Sequence, residues 1–363
     1  MPASRRQFLT TSAAALSGFA LSGCGWTLAS VNAAPTQTST DELYIYTWAG
    51  YTDGDLLQRF QEMTGIRAIA DVFDSNEAML ARLQASGGGG YSIIYPSDYM
   101  VQKMTELGFL QELDPSQLVG MAHLFQRFQD PIYDPQNRHS VPLSWGTTGI
   151  IYNRRLLPEP PQDWDYLWTH RELLNKRMTL LNDVREVMGA VLRSLGFSYN
   201  STNPVEIQAA YEKLVQLKPA IAAFTSDAWR NPILSGDLAL AMCYSSDAHE
   251  VMGENPDLEY VLPLSGSSVF VDALAIPRTA PNLAGAYAWI NFMLQPEVAA
   301  EICKRLSFAI PNAVGVELLP TVLRENPSLF PPDPAIGRCE GLIPVSDELS
   351  ELYDRYWTRL ASG

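Results

Sequence analysis

The first part of the chain alternates short apolar runs with longer amphipathic segments. Residues 43–47 alternate aromatic and aliphatic side chains over the length of a strand. The segment after them places Leu56, Leu57, Phe60 and Met63 at the spacing of one helix face. Continued in this way, the pattern predicts strands at residues 43–47, 66–73 and 92–95 and helices at 53–64, 76–86 and 99–107.

The same alternation returns in the second half of the chain. It predicts strands at residues 178–181, 238–244, 260–263 and 269–276 and helices at 184–195, 204–217, 283–294 and 296–306. Strands that alternate with helices over short connections are typical of parallel sheets covered by helices on both faces. Two such regions predict an α/β protein with two lobes around a cleft.

Residues 1–24 are typical of an export signal. The run Ser4-Arg5-Arg6-Gln7-Phe8-Leu9 resembles a twin-arginine signal, and the apolar stretch 13–21 is too short to span a membrane. The stretch ends in Leu21-Ser22-Gly23-Cys24, which resembles a lipobox with Cys24 as the acylated residue. An ordinary signal with a chance cysteine is the alternative. With residues 25–41 as a flexible tether, we expect a periplasmic protein, either free or lipid-anchored through Cys24.

Composition and motifs exclude several functions. The chain has 25 Lys plus Arg against 40 Asp plus Glu, so a surface of this charge repels nucleic acid. No Gly-x-Ser-x-Gly, phosphate-binding loop, Cys-x-x-Cys or histidine pair at metal spacing occurs, which argues against a serine hydrolase, an NTPase or a zinc site. Of the remaining cysteines, Cys303 and Cys339 are the pair to test for a disulfide in an oxidising compartment.

Three acids stand in positions where their charge needs an explanation. Asp272 interrupts the otherwise apolar run 269–276, and a buried carboxylate costs several kcal/mol unless a partner compensates it. Its partner is either a local arginine or N–H group, or a cation from a ligand. Asp183 follows a predicted strand and opens a helix with Glu186 three residues on, which fits helix capping. The carboxyl end of a strand, where Asp183 lies, is also where open α/β sheets bind ligands.

Aromatic and hydroxyl side chains occupy the corresponding strand ends of the first region, namely Trp48, Ser97 and Tyr99. Carboxylates pair with ammonium groups, and aromatic faces attract cations while they cover methylenes. A linear diamine or polyamine is the small molecule that matches both kinds of group.

Several segments in order resemble one family over residues 43–360. They are Tyr46-Thr47-Trp48-Ala49-Gly50-Tyr51, Asp74-Ser75-Asn76-Glu77, Tyr95-Pro96-Ser97-Asp98-Tyr99, Asn182-Asp183-Val184-Arg185-Glu186-Val187, Asn203-Pro204, Ser226-Asp227, Asp272-Ala273-Leu274-Ala275-Ile276-Pro277 and Ile290-Asn291-Phe292-Met293-Leu294. The chain thereby resembles the spermidine/putrescine-binding proteins of bacterial ABC transporters, which belong to the two-lobed periplasmic binding class.

This resemblance implies the residues that would bind the ligand. They are Trp48, Tyr51, Ser97, Tyr99, Asp183, Glu186 and Asp272, with Tyr244, Phe270, Phe308 and Thr358 at positions where the family has larger or more polar side chains. The chain departs from the family at Ala49-Gly50, where a carboxylate is commonly found. Asp247 is a candidate to restore that charge.

The resemblance also implies the architecture and the role. Lobe 1 comprises 42–145 and 272–308, and lobe 2 comprises 146–271 and 309–360. Each lobe has a mixed, mostly parallel sheet flanked by helices, and the crossovers lie near 144–150, 268–272 and 308–312. Ligand binding closes the lobes for recognition by membrane permease subunits. We expect a monomeric binding subunit without catalysis or cofactor, and no nucleic-acid partner.

Two other functions stay open at this stage. One is a binding protein of the same fold for ferric iron or another small cation, with Tyr44, Tyr46, Tyr99 and Tyr244 as ligands. The other is an exported glycosidase whose acid pair is Asp183 and Glu186. Carboxylates three residues apart on one helical turn lie side by side and do not flank a bond, which counts against the glycosidase.

Overall fold

The chain folds as a mixed α/β protein in a computed structural model that describes residues 41–87 and 90–362. The predicted signal, the tether up to residue 40 and Cys24 lie outside the described residues. The strands are β1 Glu42–Trp48, β2 Arg67–Phe73, β3 Ile93–Ile94, β4 Ser140–Asn153, β5 Met178–Leu180, β6 Ile221–Phe224, β7 Leu240–Tyr244, β8 Leu258–Val261, β9 Ser268–Ala275 and β10 Glu340–Gly341.

The helices cover these strands. They are α1 Gly54–Thr64, α2 Asn76–Ala85, α3 Asp98–Glu106, α4 Tyr166–Thr169, α5 Val184–Ser194, α6 Pro204–Leu217, α7 Arg230–Ser235, α8 Ser245–Met252, α9 Leu283–Met293, α10 Pro296–Leu306, α11 Ala313–Glu317, α12 Thr321–Arg324, α13 Asp333–Ile336 and α14 Asp347–Ser362. Short 3₁₀ turns occur at Pro115–Gln117, Met121–His123, Gln126–Phe128, Pro135–Asn137 and Lys218–Ala220. No helix in the described part of the chain is long and apolar enough to cross a membrane.

The strands form one mixed sheet in the order β2-β1-β3-β9-β4-β7-β5-β6, with β10 beside β9 and β8 beside β4. Strand β1 is parallel to β2 and β3, β5 is parallel to β6 and β7, and β10 is parallel to β9. Strand β9 is antiparallel to β3, and β4 is antiparallel to β7, β8 and β9. The predicted α/β class with a mixed sheet is therefore confirmed.

Two large hydrophobic cores lie along this sheet, and β4 passes from one to the other. Trp145 of β4 packs in the first core, with β1, β3, α9 and α10, whereas Ile150 packs in the second, with β5, α5, α6 and α14. A third, smaller cluster surrounds Trp229. The two cores match the predicted number of α/β regions, but separate movement of two lobes stays a prediction.

The segment after residue 308 differs from its predicted place. We assigned 309–360 to lobe 2, but the buried side chains of Ile310, Val316 and Leu329 pack in the first core. Helix α11 packs so closely on α10 that a Cβ at Gly315 would lie 3.3 Å from the Cβ of Ala299. The chain reaches the second core later, through β10, and not at 308–312.

The cysteines of the described residues carry free thiols. Cys243 is buried in β7, as its apolar surroundings predict, and Cys303 is buried in α10, whereas Cys339 is half-buried. The disulfide that we considered between Cys303 and Cys339 is not formed.

Candidate functional site

The floor of the candidate site is the ladder between β4 and β9. Side chains alternate between the two faces of a strand, so Ser268, Phe270 and Asp272 of β9 lie on the same face. Strand β4 pairs antiparallel with β9 and places Ser144 opposite Asp272 and Gly146 opposite Phe270. Sequence reasoning found the acid and the aromatic ring but missed β4, because its fourteen buried residues include Pro, Gly, Ser and Thr and show no alternation.

Asp272 is buried among hydroxyl groups. Its Oδ1 accepts a hydrogen bond of 2.6 Å from Ser97 Oγ, and its Oδ2 accepts from Tyr51 Oη and, at 3.4 Å, from Ser144 Oγ. Burial raises the pKa of Asp272, and the three hydroxyl groups oppose that rise. The local partner that we considered is therefore a set of neutral donors and not an arginine.

A second pair of acids lies at the N-terminus of α5. Asp183 is the N-cap, and its Oδ1 accepts from the backbone N–H of Arg185 at 2.9 Å and of Glu186 at 3.1 Å. The capping interpretation is confirmed. Burial raises the pKa of Asp183, whereas Arg185 lowers it through space. The guanidinium of Arg185 itself donates to the carbonyl of Ile343 and to Asn200 Oδ1.

Glu186 is buried in the first turn of the same helix. Its Oε2 accepts from Ser268 Oγ at 2.7 Å and from Tyr199 Oη at 3.0 Å. Burial first and the neighbouring charge of Asp183 second raise the pKa of Glu186 to about 7. Sequence reasoning missed Tyr199, whose ring occupies space left by a glycine: a Cβ at Gly189 would lie 2.0 Å from Tyr199 Cε1.

Aromatic rings lie close to these acids. Tyr51 stacks on Phe308 at 4.7 Å between ring centroids, and Tyr244 meets Phe270 edge-on at 5.3 Å. Trp48, at the end of β1, packs against Phe73, and its buried indole N–H has no acceptor among the described residues. The structure thus supplies apolar faces next to carboxylates.

Strand β9 connects the two groups of acids, since Ser268 donates to Glu186 and lies on the same face of the strand as Asp272. Asp183, Glu186, Asp247 and Tyr99 all raise the pKa of Tyr244, after its burial as the main cause. Tyr99 donates to Glu77 Oε1 at 3.1 Å and accepts from Asn76 Nδ2 at 3.1 Å, and Asn76 also donates to Ser97 Oγ. The predicted residues of both halves of the chain therefore lie in one region.

Asp98 is a further buried acid of this region, within a segment that resembles the family but not among the predicted ligand residues. It begins α3 between Ser97 and Tyr99 and accepts hydrogen bonds from the N–H of Tyr99, at 2.8 Å, and of Val271. Its Oδ2 faces β10, 3.7 Å from where a Cβ of Gly341 would lie. Burial raises its pKa, and the charges of Asp272 and Glu186 raise it further.

Thr358 is the predicted ligand residue that lies on α14. It is exposed on α14, where its neighbour Trp357 meets Phe224 edge-on and the carbonyl of Leu360 accepts from Lys218. These contacts lie at β6, the edge strand of the sheet, whereas Asp272 is on the central strand β9. Its role in ligand binding stays a prediction, and the segment beside the site at this end of the chain is β10.

The four acids of this region share one property. In the described part of the chain, none of them forms an ion pair, although ion pairs are common elsewhere on the protein, for example Arg230 with Asp247. Isolated buried charges are unfavourable by several kcal/mol. The arrangement therefore suits a cation that comes from outside the chain. The acids are Asp98, Glu186 and Asp272, which are buried, and Asp183, which is half-buried.

The tyrosines considered for iron do not converge. Tyr44 donates to Glu42 at 3.1 Å, and Tyr46 is stacked on Tyr91 at 4.6 Å, whereas Tyr99 and Tyr244 lie beside the acids. Among the residues that the structure describes, no group of three or more His, Cys, Asp or Glu side chains is arranged to hold a metal ion.

The fold and a buried site of acids and rings define a protein that binds small solutes. Residues 55–330 match the family model of the bacterial extracellular solute-binding proteins, and the chain belongs to this family. It is 36% identical over 327 residues to the spermidine/putrescine-binding periplasmic protein of Salmonella typhimurium, covering 90% of this chain and 93% of that protein.

Solved structures agree with this assignment. The spermidine/putrescine ABC transporter substrate-binding protein PotD of Streptococcus pneumoniae superposes with a TM-score of 0.82 at 34% identity, covering 89% of this chain and 99% of that one. The Tp0655 (TpPotD) lipoprotein of Treponema pallidum has a TM-score of 0.80 at 28% identity, covering 88% and 99%. The resemblance inferred from the sequence motifs is confirmed.

Proposed function

We propose that the protein captures polyamines of the spermidine and putrescine type in the periplasm and delivers them to the permease of an ABC importer. The observation that carries this proposal is a set of four carboxylates, three buried and one half-buried, that accept from hydroxyl and N–H groups and form no ion pair within the described residues. The names of the relatives point to the same ligand class.

The carboxylates and the rings would hold different parts of the ligand. The internal hydrogen bonds of Asp183 fall on Oδ1, so its Oδ2 can accept from an ammonium group. Asp272 would hold a second amine, while Trp48, Tyr51 and Tyr244 cover the methylenes between the charges. The buried indole N–H of Trp48 supports a ligand contact at the end of β1.

Delivery requires a change of shape that a permease can recognise. We propose that the two cores belong to two lobes that close on the ligand as a hinge, and that the protein acts as a monomer without catalysis. Attachment to a membrane through Cys24 is part of the proposal, and the related Treponema pallidum protein is a lipoprotein.

The ligand class is tested by calorimetric titration with putrescine, spermidine and spermine. We expect micromolar or tighter binding of at least one of them, with butylamine bound far more weakly because it offers a single charge. 1,4-Butanediol, which has the length of putrescine without charge, is the control and should give no heat. Absence of heat with all three polyamines would contradict the proposal, and native mass spectrometry of the purified protein would then show the mass of any retained ligand.

Replacement of Gly146 by alanine is expected to weaken polyamine binding about tenfold, or about 1.4 kcal/mol. The added Cβ would lie 2.5 Å from Phe270 Cζ and 2.8 Å from Ser245 Oγ, so the Phe270 ring must leave its place against Tyr244. Gly54→Ala, at the start of α1, is the matched control, because no atom lies within 4 Å of the Cβ there. Equal affinities of the two variants in the same titration would show that the Phe270 position does not matter.

A further inference from the structure

Glu340 of β10 holds the loop that follows α5. Its carboxylate pairs with Arg193, in the last turn of α5, at 2.9 Å between Oε1 and Nη1. The same carboxylate accepts hydrogen bonds from Ser198 Oγ at 2.5 Å, from the N–H of Tyr199 at 3.2 Å and from Asn200 Nδ2 at 3.4 Å. One side chain of β10 therefore binds three consecutive residues of this loop.

The loop carries a hydroxyl group that reaches Glu186. Tyr199 is fully buried, and its Oη lies 3.0 Å from Glu186 Oε2 and 2.8 Å from the carbonyl oxygen of the same residue. Ser268 Oγ also donates to Oε2, and Ser268 pairs with Glu340 in the parallel ladder of β9 and β10. Glu340 thus lies directly behind both Tyr199 and Ser268, the two residues that donate to the Glu186 carboxylate.

The segment around Glu340 is itself fixed by close contacts. Arg193 donates from Nε to the carbonyl of Ser265 at 2.9 Å and from Nη2 to the carbonyl of Arg338 at 3.2 Å. Gly266 has a φ of +96°, and a Cβ there would lie 1.9 Å from the carbonyl oxygen of Arg338, so only glycine allows this approach. These contacts are internal to the chain, so the loop is held in place before a ligand arrives.

We propose that Glu340 is a positioning residue for the candidate site, because it fixes the loop at residues 198–200 and so keeps the Tyr199 hydroxyl on the Glu186 carboxylate. In this role Glu340 acts through Tyr199 and not on the ligand. The inference rests on the proposed function, in which Glu186 is one of the acids that bind an amine. A hydrogen bond to a carboxylate favours its ionised form, and Ser268 and Tyr199 both lower the pKa of Glu186 against the effect of its burial.

Glu186 titrates among other acids and neutral hydroxyl groups. Asp183 on the same helix raises the pKa of Glu186, and the charge of Glu186 in turn raises the pKa of Asp98 on α3. The guanidinium of Arg185 donates to the carbonyl of Ile343. The hydroxyl groups that face Glu186 come from the loop, β4, β7, β8 and β9, namely Tyr199, Thr148, Tyr244, Tyr260 and Ser268. Without the Tyr199 hydrogen bond, Glu186 should therefore keep its proton to a higher pH.

The affinity of Glu340→Ala for spermidine, measured by calorimetry at pH 6 and pH 8.5, tests this role. We expect the variant to bind about tenfold more weakly than the wild type at pH 6 but within about twofold at pH 8.5, where Glu186 is ionised in both proteins. Glu340→Gln keeps an oxygen for the Tyr199 N–H and should stay within about threefold of the wild type. Glu112→Ala is the matched control, because it removes an exposed glutamate that pairs with Arg138 at 2.8 Å, and it should change neither affinity.

Tyr199→Phe shows whether Glu340 acts through the tyrosine. Glu340→Ala combined with Tyr199→Phe should bind spermidine no more than about twofold more weakly at pH 6 than Tyr199→Phe alone. Additive losses, or a loss in Glu340→Ala that is equal at both pH values, would overturn the inference. If Glu340→Ala does not fold, Glu340→Asp takes its place in both comparisons, because it keeps the charge but draws the carboxylate back from the Tyr199 N–H.

A measurement without ligand separates failure of this inference from failure of the proposed function. The carboxyl carbon of Glu186 can be titrated by NMR, and its resonance is identified by its absence in Glu186→Gln. The midpoint should lie at a higher pH in Glu340→Ala than in the wild type. An unchanged midpoint would overturn the inference while amine binding stands. A raised midpoint in a protein that binds no polyamine would support the positioning role and overturn the proposed function.

Discussion

Replacement of Asp272 by asparagine is expected to weaken polyamine binding by roughly 100-fold or more. The carboxylate is buried, and removal of one partner from a buried, hydrogen-bonded charge pair costs about 2–5 kcal/mol. Asparagine has nearly the same shape, so the loss reports the charge and not the packing. Titration of both proteins with spermidine at neutral pH measures the difference.

The same substitution should not destabilise the protein without ligand. The charged carboxylate of Asp272 is unfavourable in its buried place, as its raised pKa indicates, and the amide oxygen can still accept from Ser97 or Tyr51. We expect a melting temperature equal to or higher than that of the wild type. A substitution that lowers ligand affinity without lowering stability indicates that the charge serves ligand binding and not folding.

The matched control is Asp354→Asn, which removes one charge from an exposed position on α14. It should change neither affinity nor melting temperature appreciably. The comparison therefore separates the specific effect of Asp272 from a general effect of net charge. If Asp272→Asn binds spermidine as well as the wild type does, Asp272 does not hold an amine. If it instead lowers the melting temperature by many degrees, the charge is structural.

The sequence predicted the elements with regular periodicity and missed those without it. Helices α1, α2, α5 and α6 begin and end within a residue or two of their predicted bounds, because their apolar residues recur at helical spacing. Strand β4 carries no such signal, since it is buried on both faces and contains glycine and proline. The place of 309–336 depends on how α11 packs on α10, which local patterns do not encode.

The residues of the candidate site also fall into those that the sequence predicts and those that it does not. Asp272 and Asp183 could be predicted because the sequence alone shows that one acid lies within an apolar strand and the other at the carboxyl end of a strand. Their donors Ser144 and Ser97 are ordinary polar residues, far away in sequence, that become recognisable only when β4, β9 and α3 meet. The Arg230–Asp247 pair likewise joins two helices and has no signature in the sequence.

The pH dependence of the protein without ligand follows from its buried acids. Folding raises the pKa of Glu186 from 4.5 to about 7 and also raises the pKa of Asp183 and Asp272. The folded state therefore binds more protons than the unfolded state between about pH 4.5 and 7. These groups make their full contribution to the free energy of unfolding below that range, and the contribution falls as the pH rises through it. Acids with a lowered pKa, such as Glu112, titrate below this window.

Ligand affinity should have the opposite pH dependence. An ammonium group needs the ionised carboxylates, so binding releases the protons that the empty site holds, while the ligand amines stay charged throughout. Between pH 5.5 and 8 we expect the affinity for spermidine to rise by at least tenfold, since the ionisation of Glu186 alone would account for about 30-fold over this range. Over the same range the melting temperature without ligand should fall.

Glu186→Gln distinguishes this linkage from a general effect of pH. The variant lacks the group with the pKa of about 7, so both its affinity and its melting temperature should depend less on pH than those of the wild type. Asp354→Asn again serves as the control and should retain both slopes. An affinity that stays constant from pH 5.5 to 8 would mean that the acids are already ionised in the empty site.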